Sequence, residues 1–286
     1  MKEYRPGTFD SRIIAYEKVH QITDDQINAL VGAVGLKPNQ KVLDGCAGYG
    51  SVTKWLLEKN AKEITSTCSF FVQDDSLVQI ERAKENLKEH KDIEYSVEDI
   101  KSLPYKDSFF DIVVVKMGLH ENQKEVQLKI AQEIFRVLKP GGRFIVWELF
   151  LNEKTQPIFQ AFMHKKDELA GFDTLVTKRY FPRGDEIEGC LSGAGFINFK
   201  KELVFNPFLS TKARFDELIS RELKESGKVE ADEHLKKLAS ERLDTLNNFF
   251  RGLPDEQKQV IDFEDRGDTI IYYNIDKAIV SVEKPL

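Results

Sequence analysis

The chain has 286 residues, with 42 Lys and Arg against 48 Asp and Glu, for a formal net charge of −6. That length buries a sizeable core in one large domain, or in one domain with a cap, and the acidic balance offers no footprint for duplex nucleic acid or an anionic membrane. The 3 cysteines form no disulfide framework and no paired metal-ligand spacing, and no apolar run makes a secretory or membrane-spanning segment, so the expected address is the cytoplasm with no metal.

An N-terminal stretch to about residue 36 contains a helix capped by Thr23 or Asp24. Strands are then expected near 41–45, 69–74, 92–97, 110–116, 143–149, 196–205 and 269–282, with helices between most of them. Such alternation implies an α/β fold, a doubly wound, Rossmann-like, mainly parallel seven-stranded sheet with helical cap insertions. Ile112-Val113-Val114-Val115 is an unbroken β-branched run, as a strand buried on both faces should be. Lys139-Pro140-Gly141-Gly142 is expected to end a helix and reverse the chain. The expected organisation is a helical lid segment at 1–36, a core at 37–206 with an insertion at 151–182, a helical cap at 207–267, and a final strand in 268–286. Insertions after late strands lie on the ligand side of such a sheet, so the cap is a lid, an outer packing layer or a homodimer surface.

The stretch Val42-Leu43-Asp44-Gly45-Cys46-Ala47-Gly48-Tyr49-Gly50 is an apolar strand that ends on a carboxylate and enters a glycine-rich turn. Small residues let a ligand lie against the backbone there. A dinucleotide fingerprint starting at Gly48 would place Thr53 where the third small residue belongs, which weakens a nicotinamide or flavin reading. A smaller ligand suits the turn better, one with an amino acid at one end and a nucleoside at the other. Asp74 follows an apolar run at an offset where a carboxylate can accept both ribose hydroxyls. The competing readings are that Asp74 is a plain helix N-cap, or that 63–68 is the strand and Cys68 takes the carboxylate's place.

From about residue 41 to about 150 the chain resembles the class I S-adenosylmethionine-dependent methyltransferases, in the branch of small-molecule and quinone-biosynthesis enzymes. Four segments carry the resemblance in the family's order: Val42 to Gly50; Phe71 to Ser76 with the run Gln79 to Ala83; Val97 to Pro104 leading into Ser108 to Val114; and Ile134 to Phe144. The resemblance implies S-adenosylmethionine as cofactor and S-adenosylhomocysteine as product. It places the cofactor on Asp44, Gly45, Cys46, Gly48 and Gly50, with its ribose on Asp74 and Asp75 as the helix cap beside it. It assigns the adenine to Asp99 and Ile100, a backbone carbonyl contact to Lys116, and a lid tyrosine to Tyr16. Cys46 departs from the family, which usually has glycine there; cysteine is small enough to fit with negative φ and cannot take positive φ cheaply.

Methyl transfer from a sulfonium is an in-line displacement, so nucleophile, methyl carbon and sulfur must be held nearly collinear and away from water. A hydroxyl or acidic carbon acceptor also loses a proton. His120, directly after the most apolar strand, is the candidate base, with Glu121 or Asn122 to orient its ring; the alternative is a loop histidine that packs. Dense aromatics in the insertions, among them Phe159, Phe162, Phe181, Phe249 and Phe250, suit the core of a cap and an apolar or aromatic small acceptor. The loop from Lys116 to Asn122 lacks the Asn/Asp-Pro-Pro-aromatic motif of enzymes that methylate base amino groups. The alternatives carried forward are a protein or RNA methyltransferase and a non-catalytic sensor or scaffold for the cofactor.

Overall fold

Ile112, Val113, Val114 and Val115 are fully buried at the middle of a seven-stranded sheet. In the computed structural model the described residues are 22–169, 178–204, 209–212, 214 and 233–286. In chain order they form α1 (Asp24–Val34), β1 (Lys41–Gly45), α2 (Ser51–Lys59), α3 (Lys62–Thr65), β2 (Ser69–Asp74), α4 (Leu77–Asn86), β3 (Ile93–Val97) and β4 (Phe110–Lys116). A 3-10 turn (Leu119–Glu121) leads to α5 (Lys124–Val137), β5 (Leu138–Leu149), α6 (Thr155–Leu169), α7 (Gly184–Gly193) and β6 (Ile197–Val204). Then follow β7 (Leu209–Ser210), α8 (Glu233–Arg251), α9 (Asp255–Val260), β8 (Glu264–Asp265), β9 (Ile270–Tyr272) and β10 (Lys277–Glu283).

The large sheet has the order β3-β2-β1-β4-β5-β10-β6. Its first five strands pair in parallel, and β10 runs antiparallel to both β5 and β6. The chain moves outward from β1 to β2 and then crosses back to β4 on β1's other side. This reversal opens a crevice at the carboxyl ends of β1 and β4, where doubly wound sheets bind ligands.

Both faces are covered, which is why the central strands read as continuous apolar runs. On one face Leu43, Val113, Val115 and Phe144 pack with Ile130 and Ile134 of α5 and with Ile187 and Leu191 of α7. On the other, Val42, Ile112, Val114, Ile145 and Trp147 pack with Leu30 and Val34 of α1 and with Trp55 and Leu56 of α2. Helix α1 starts at Thr23, whose side chain accepts from Gln26 N–H while Gln26 reciprocates in a capping box. Its last carbonyls, at Ala33 and Val34, accept from the guanidinium of Arg143. Helix α1 is therefore a layer of the sheet sandwich and does not itself fold over the crevice.

Two strand expectations need correction. Residues 269–282 are not one strand: Ile270–Tyr272 joins a three-stranded sheet with β7 and β8, and only Lys277–Glu283 enters the large sheet. The switch follows side-chain partners, because Ile270 and Tyr272 are buried with Phe162, Leu246 and Phe250 in a separate apolar cluster of α6 and α8. Strand β5 also starts earlier than expected, taking the Pro140-Gly141-Gly142 turn into its first residues as an irregularity in the pairing with β4. Gly141, at φ +72°, donates its N–H to Lys284, so the turn is held by β10's end.

Candidate active site

The glycine turn after β1 is built from three left-handed residues, Cys46 (φ +53°), Gly48 (φ +54°) and Gly50 (φ +71°). Cys46 thus takes the positive φ that a residue with a Cβ does not take cheaply. The backbone there adopts the conformation glycine prefers, at a strain on the order of 1 kcal/mol for a residue with a Cβ. The three small positions have different reasons. A Cβ on Gly50 would lie 2.8 Å from Leu87 Cδ1 and 3.3 Å from Ala83, so Gly50 lets α2 pack on α4. A Cβ on Gly48 would meet nothing within 4 Å, so its open side faces free space. A Cβ on Gly45 would lie 2.9 Å from Ile100 Cδ1, which lays Ile100 against the end of β1.

The turn is fastened to β2 by two side chains. Asp74 Oδ2 accepts the Gly48 N–H at 2.9 Å, and its Oδ1 accepts the Ser76 N–H at 3.0 Å. Gln73, buried at the end of β2, accepts the Cys46 N–H at 3.3 Å and donates to the Glu98 carbonyl. Sequence reading missed Gln73, a residue that ties the turn to the loop bearing Asp99. Ser76, not Asp75, is the N-cap of α4, accepting from Gln79 N–H at 3.2 Å; Asp75 is exposed beside it. Asp99 is half-exposed and pairs with Lys101 at 3.0 Å. Tyr16 lies outside the described residues.

Asp44 is buried, and its Oδ2 accepts from both the N–H and the hydroxyl of Thr53, at 3.0 and 2.8 Å. Burial raises its pKa to about 7, against the lowering effects of Thr53 and the Lys116 charge. The Lys116 ammonium also lies 5.6 Å from the Trp55 ring centroid. The Cys46 thiol is pushed well up by burial, with Asp74 and Asp75 adding to the effect, which disfavours the thiolate.

His120 sits on the 3-10 turn after β4, 3% exposed. Its Nδ1 lies 2.7 Å from Glu148 Oε1, its Nε2 lies 2.9 Å from Glu121 Oε1, and its ring stacks on Phe181 at 4.8 Å. Burial pushes its pKa down, but Glu148 and Glu121 outweigh that and the net direction is up. Both ring nitrogens thus face carboxylates, and Nε2 also lies 3.2 Å from Arg179 Nη2. Asn122 does not orient the ring; its amide turns to the Gly118 carbonyl. The ring's partner is Glu148 at the carboxyl end of β5, which sequence reading did not single out. Arg179 completes the group: Nη2 reaches Glu121 at 2.8 Å, and Nη1 donates to both oxygens of the fully buried Asp167.

Beside His120 is a cavity of about 40 Å³ at the carboxyl ends of β4 and β5 and the start of β10. Met117, Leu149, Phe159, Met163 and Phe181 form its apolar wall, and Glu121, Lys166, Arg179, Arg214 and Lys277 the polar part. It adjoins the glycine turn, because Gly118 packs directly on Cys46.

The model of a methyltransferase domain matches residues 43–146, the segment that contains the turn, both aspartate loops and most of β5. A ubiquinone/menaquinone biosynthesis C-methyltransferase of Hydrogenovibrio crunogenus is 30% identical over 160 residues, 53% of this chain and 60% of that protein. The chain therefore spans less than two thirds of that relative's length. Among solved structures, a chain from Bacillus halodurans superposes with a TM-score of 0.69 at 17% identity, over 92% of this chain and all of that one. A phosphoethanolamine N-methyltransferase of Haemonchus contortus, solved with S-adenosylhomocysteine, gives 0.54 at 18% identity over 95% of this chain and 56% of that one. Residues 43–146 thus match a methyltransferase domain, on a fold shared with these solved chains. Over its matched part the chain is similar to quinone-biosynthesis C-methyltransferases.

Proposed function

We propose that this chain moves a methyl group from S-adenosylmethionine to a small organic acceptor seated in the cavity beside His120. The observation that carries this reading is the close approach of Gly118, between the cavity residues Met117 and His120, to Cys46 of the turn, where Gly48 has open space beside it. Cofactor on the turn and acceptor in the cavity fits an in-line displacement across their boundary.

In this reading the cofactor's amino-acid end lies near Asp44 and the backbone of residues 45–48, its ribose near Asp74, and its adenine against Ile100 and Asp99. Bound there, the cofactor supplies an electrophilic methyl group on a sulfonium. The chain's own task is position and exclusion of water. A wall of Phe159, Phe181 and two methionines suits a small acceptor with an apolar body. It is a poor fit for a protein or RNA segment, which would need an open groove.

His120 enters as a positioning residue. With Glu148 and Glu121 at its two nitrogens and Phe181 stacked on its ring, it orients the loop after β4 and keeps Glu121 in the cavity wall. Incubation of the protein with S-adenosylmethionine and a panel of phenols, quinols, amines and small acids, with S-adenosylhomocysteine quantified, tests the reading. Acceptor-dependent release supports it. Tight cofactor binding with no release from any acceptor would favour a cofactor sensor.

A further inference from the structure

Lys277 opens β10, pairing with Leu149 across the sheet, and is 1% exposed. Its Nζ has no hydrogen-bond partner among the described residues, yet it lines the cavity beside His120. A buried amine left so costs free energy and calls for an explanation. The surrounding charges supply one. Among the described residues the cavity wall holds Lys166, Arg179, Arg214, Lys277 and His120 beside the carboxylate of Glu121, and Glu121 is already engaged by His120 and Arg179. Behind the wall, Glu148 pairs with His120, and Asp167 takes Arg179 at 2.8 Å and Lys166 at 3.4 Å. From other elements, Arg214 and Lys116 both push Lys277 toward its neutral form and Glu148 pulls the other way, while burial exceeds them all and brings the amine's pKa down to about 7.

We infer that the cavity takes an acceptor bearing an oxyanion, a carboxylate or a phosphate, whose charge is met by the Lys277 ammonium in a wall otherwise rich in cations. This deepens the methyl-transfer reading and rests on it for the word acceptor, though the binding claim stands without turnover. The apolar body of such a molecule would lie on Met117, Phe159 and Phe181, and its anionic end would supply the hydrogen-bond acceptor and counter-charge that Lys277 lacks. Binding then restores the ammonium, so above neutral pH the anion enters together with a proton.

The test is calorimetric titration of the full chain, saturated with S-adenosylhomocysteine, with benzoate, phenyl phosphate and neutral benzamide. Benzoate or phenyl phosphate should bind about tenfold or more tighter than benzamide, as a charge-assisted hydrogen bond in a buried site requires; which of the two wins identifies carboxylate or phosphate. Repeating the titration slightly above neutral pH in buffers of different ionisation enthalpy should show proton uptake with the anion and none with benzamide. Lys277→Met, which keeps the apolar stem, should lose the preference while binding S-adenosylhomocysteine as before. Equal binding of the three probes, binding of none, anion binding without proton uptake, or a preference retained in Lys277→Met would each overturn the inference. Failure of the unmodified chain to bind S-adenosylhomocysteine would instead strike the reading beneath it.

Discussion

Gly118 and Cys46 approach so closely that a Cβ placed on Gly118 would lie 2.7 Å from Cys46 Cβ and 3.0 Å from its Sγ. The loop after β4 and the turn after β1 are thereby locked together, and one residue's small size depends on the other's. Gly118→Ala should therefore destabilise the fold by about 1–3 kcal/mol through overpacking. Cys46→Gly should be neutral or stabilising, because it also relieves a left-handed residue with a side chain. The double variant should recover part of the loss and no more, since Val115 Cγ1 stands 2.9 Å from the same added Cβ. Denaturant unfolding of the four proteins measures the coupling, and simple additivity would count against the contact.

Gly48 and Gly50 look alike in sequence but should fail differently. Gly50→Ala drives a methyl group into Leu87, so its main effect should be lost stability, again about 1–3 kcal/mol. Gly48→Val fills open space and should abolish S-adenosylhomocysteine binding at a smaller cost to the fold, that of a β-branched residue at positive φ. Thermal unfolding beside calorimetry separates the two outcomes.

Asp44 predicts a pH dependence. Its carboxyl ionises near 7 when folded, well above its ordinary 3.8, so the folded chain binds this proton more tightly than the unfolded chain does. Stability from this group falls as pH rises between about 4 and 7 and is lost above that window. A cofactor ammonium nearby favours the ionised form, so cofactor binding should release a proton below pH 7 and tighten as pH rises through it. Asp44→Asn should remove both slopes. A titration of affinity against pH that is flat in the unmodified protein would contradict this placement.

The Glu148–His120 pair carries the opposite kind of linkage. His120 has a raised folded pKa, so its stabilising contribution is complete below its ordinary 6.5 and is lost as pH rises through the folded value. Glu148→Gln leaves a buried imidazolium with one carboxylate partner fewer. It should lower the histidine's pKa and cost about 3–5 kcal/mol at pH below 6.5, with a smaller loss once the ring is neutral. Histidine NMR titration with unfolding measurements at two pH values checks both parts.

Much of the sheet was legible because its signals are local. The burial of Ile112 to Val115 on both faces follows from an unbroken β-branched run, and the turn at 46–50 follows from small residues after a strand-ending carboxylate. Asp74 was readable for the same reason, and its bond to Gly48 N–H lies within that motif's neighbourhood. The cavity wall was not legible. Lys277, Arg214, Arg179 and Lys166 are single charged residues with no period, brought together by contacts such as His120 to Arg179, 59 residues apart. Their burial, which gives them meaning, leaves no mark on sequence. Glu148 had one: a carboxylate at the carboxyl end of the apolar run Ile145-Val146-Trp147 is placed as Asp44 and Asp74 are placed. The break at 273–276 was hidden because β9 and β10 are both apolar and differ only in which core they join.

The central claim is that an adenosyl amino acid lies on the turn from Cys46 to Gly50. Isothermal titration of S-adenosylhomocysteine into the unmodified chain and into Gly48→Val tests it most directly. The account predicts saturable binding at one site per chain in the first and none in the second; no binding to the unmodified protein, or equal binding to both, would contradict it.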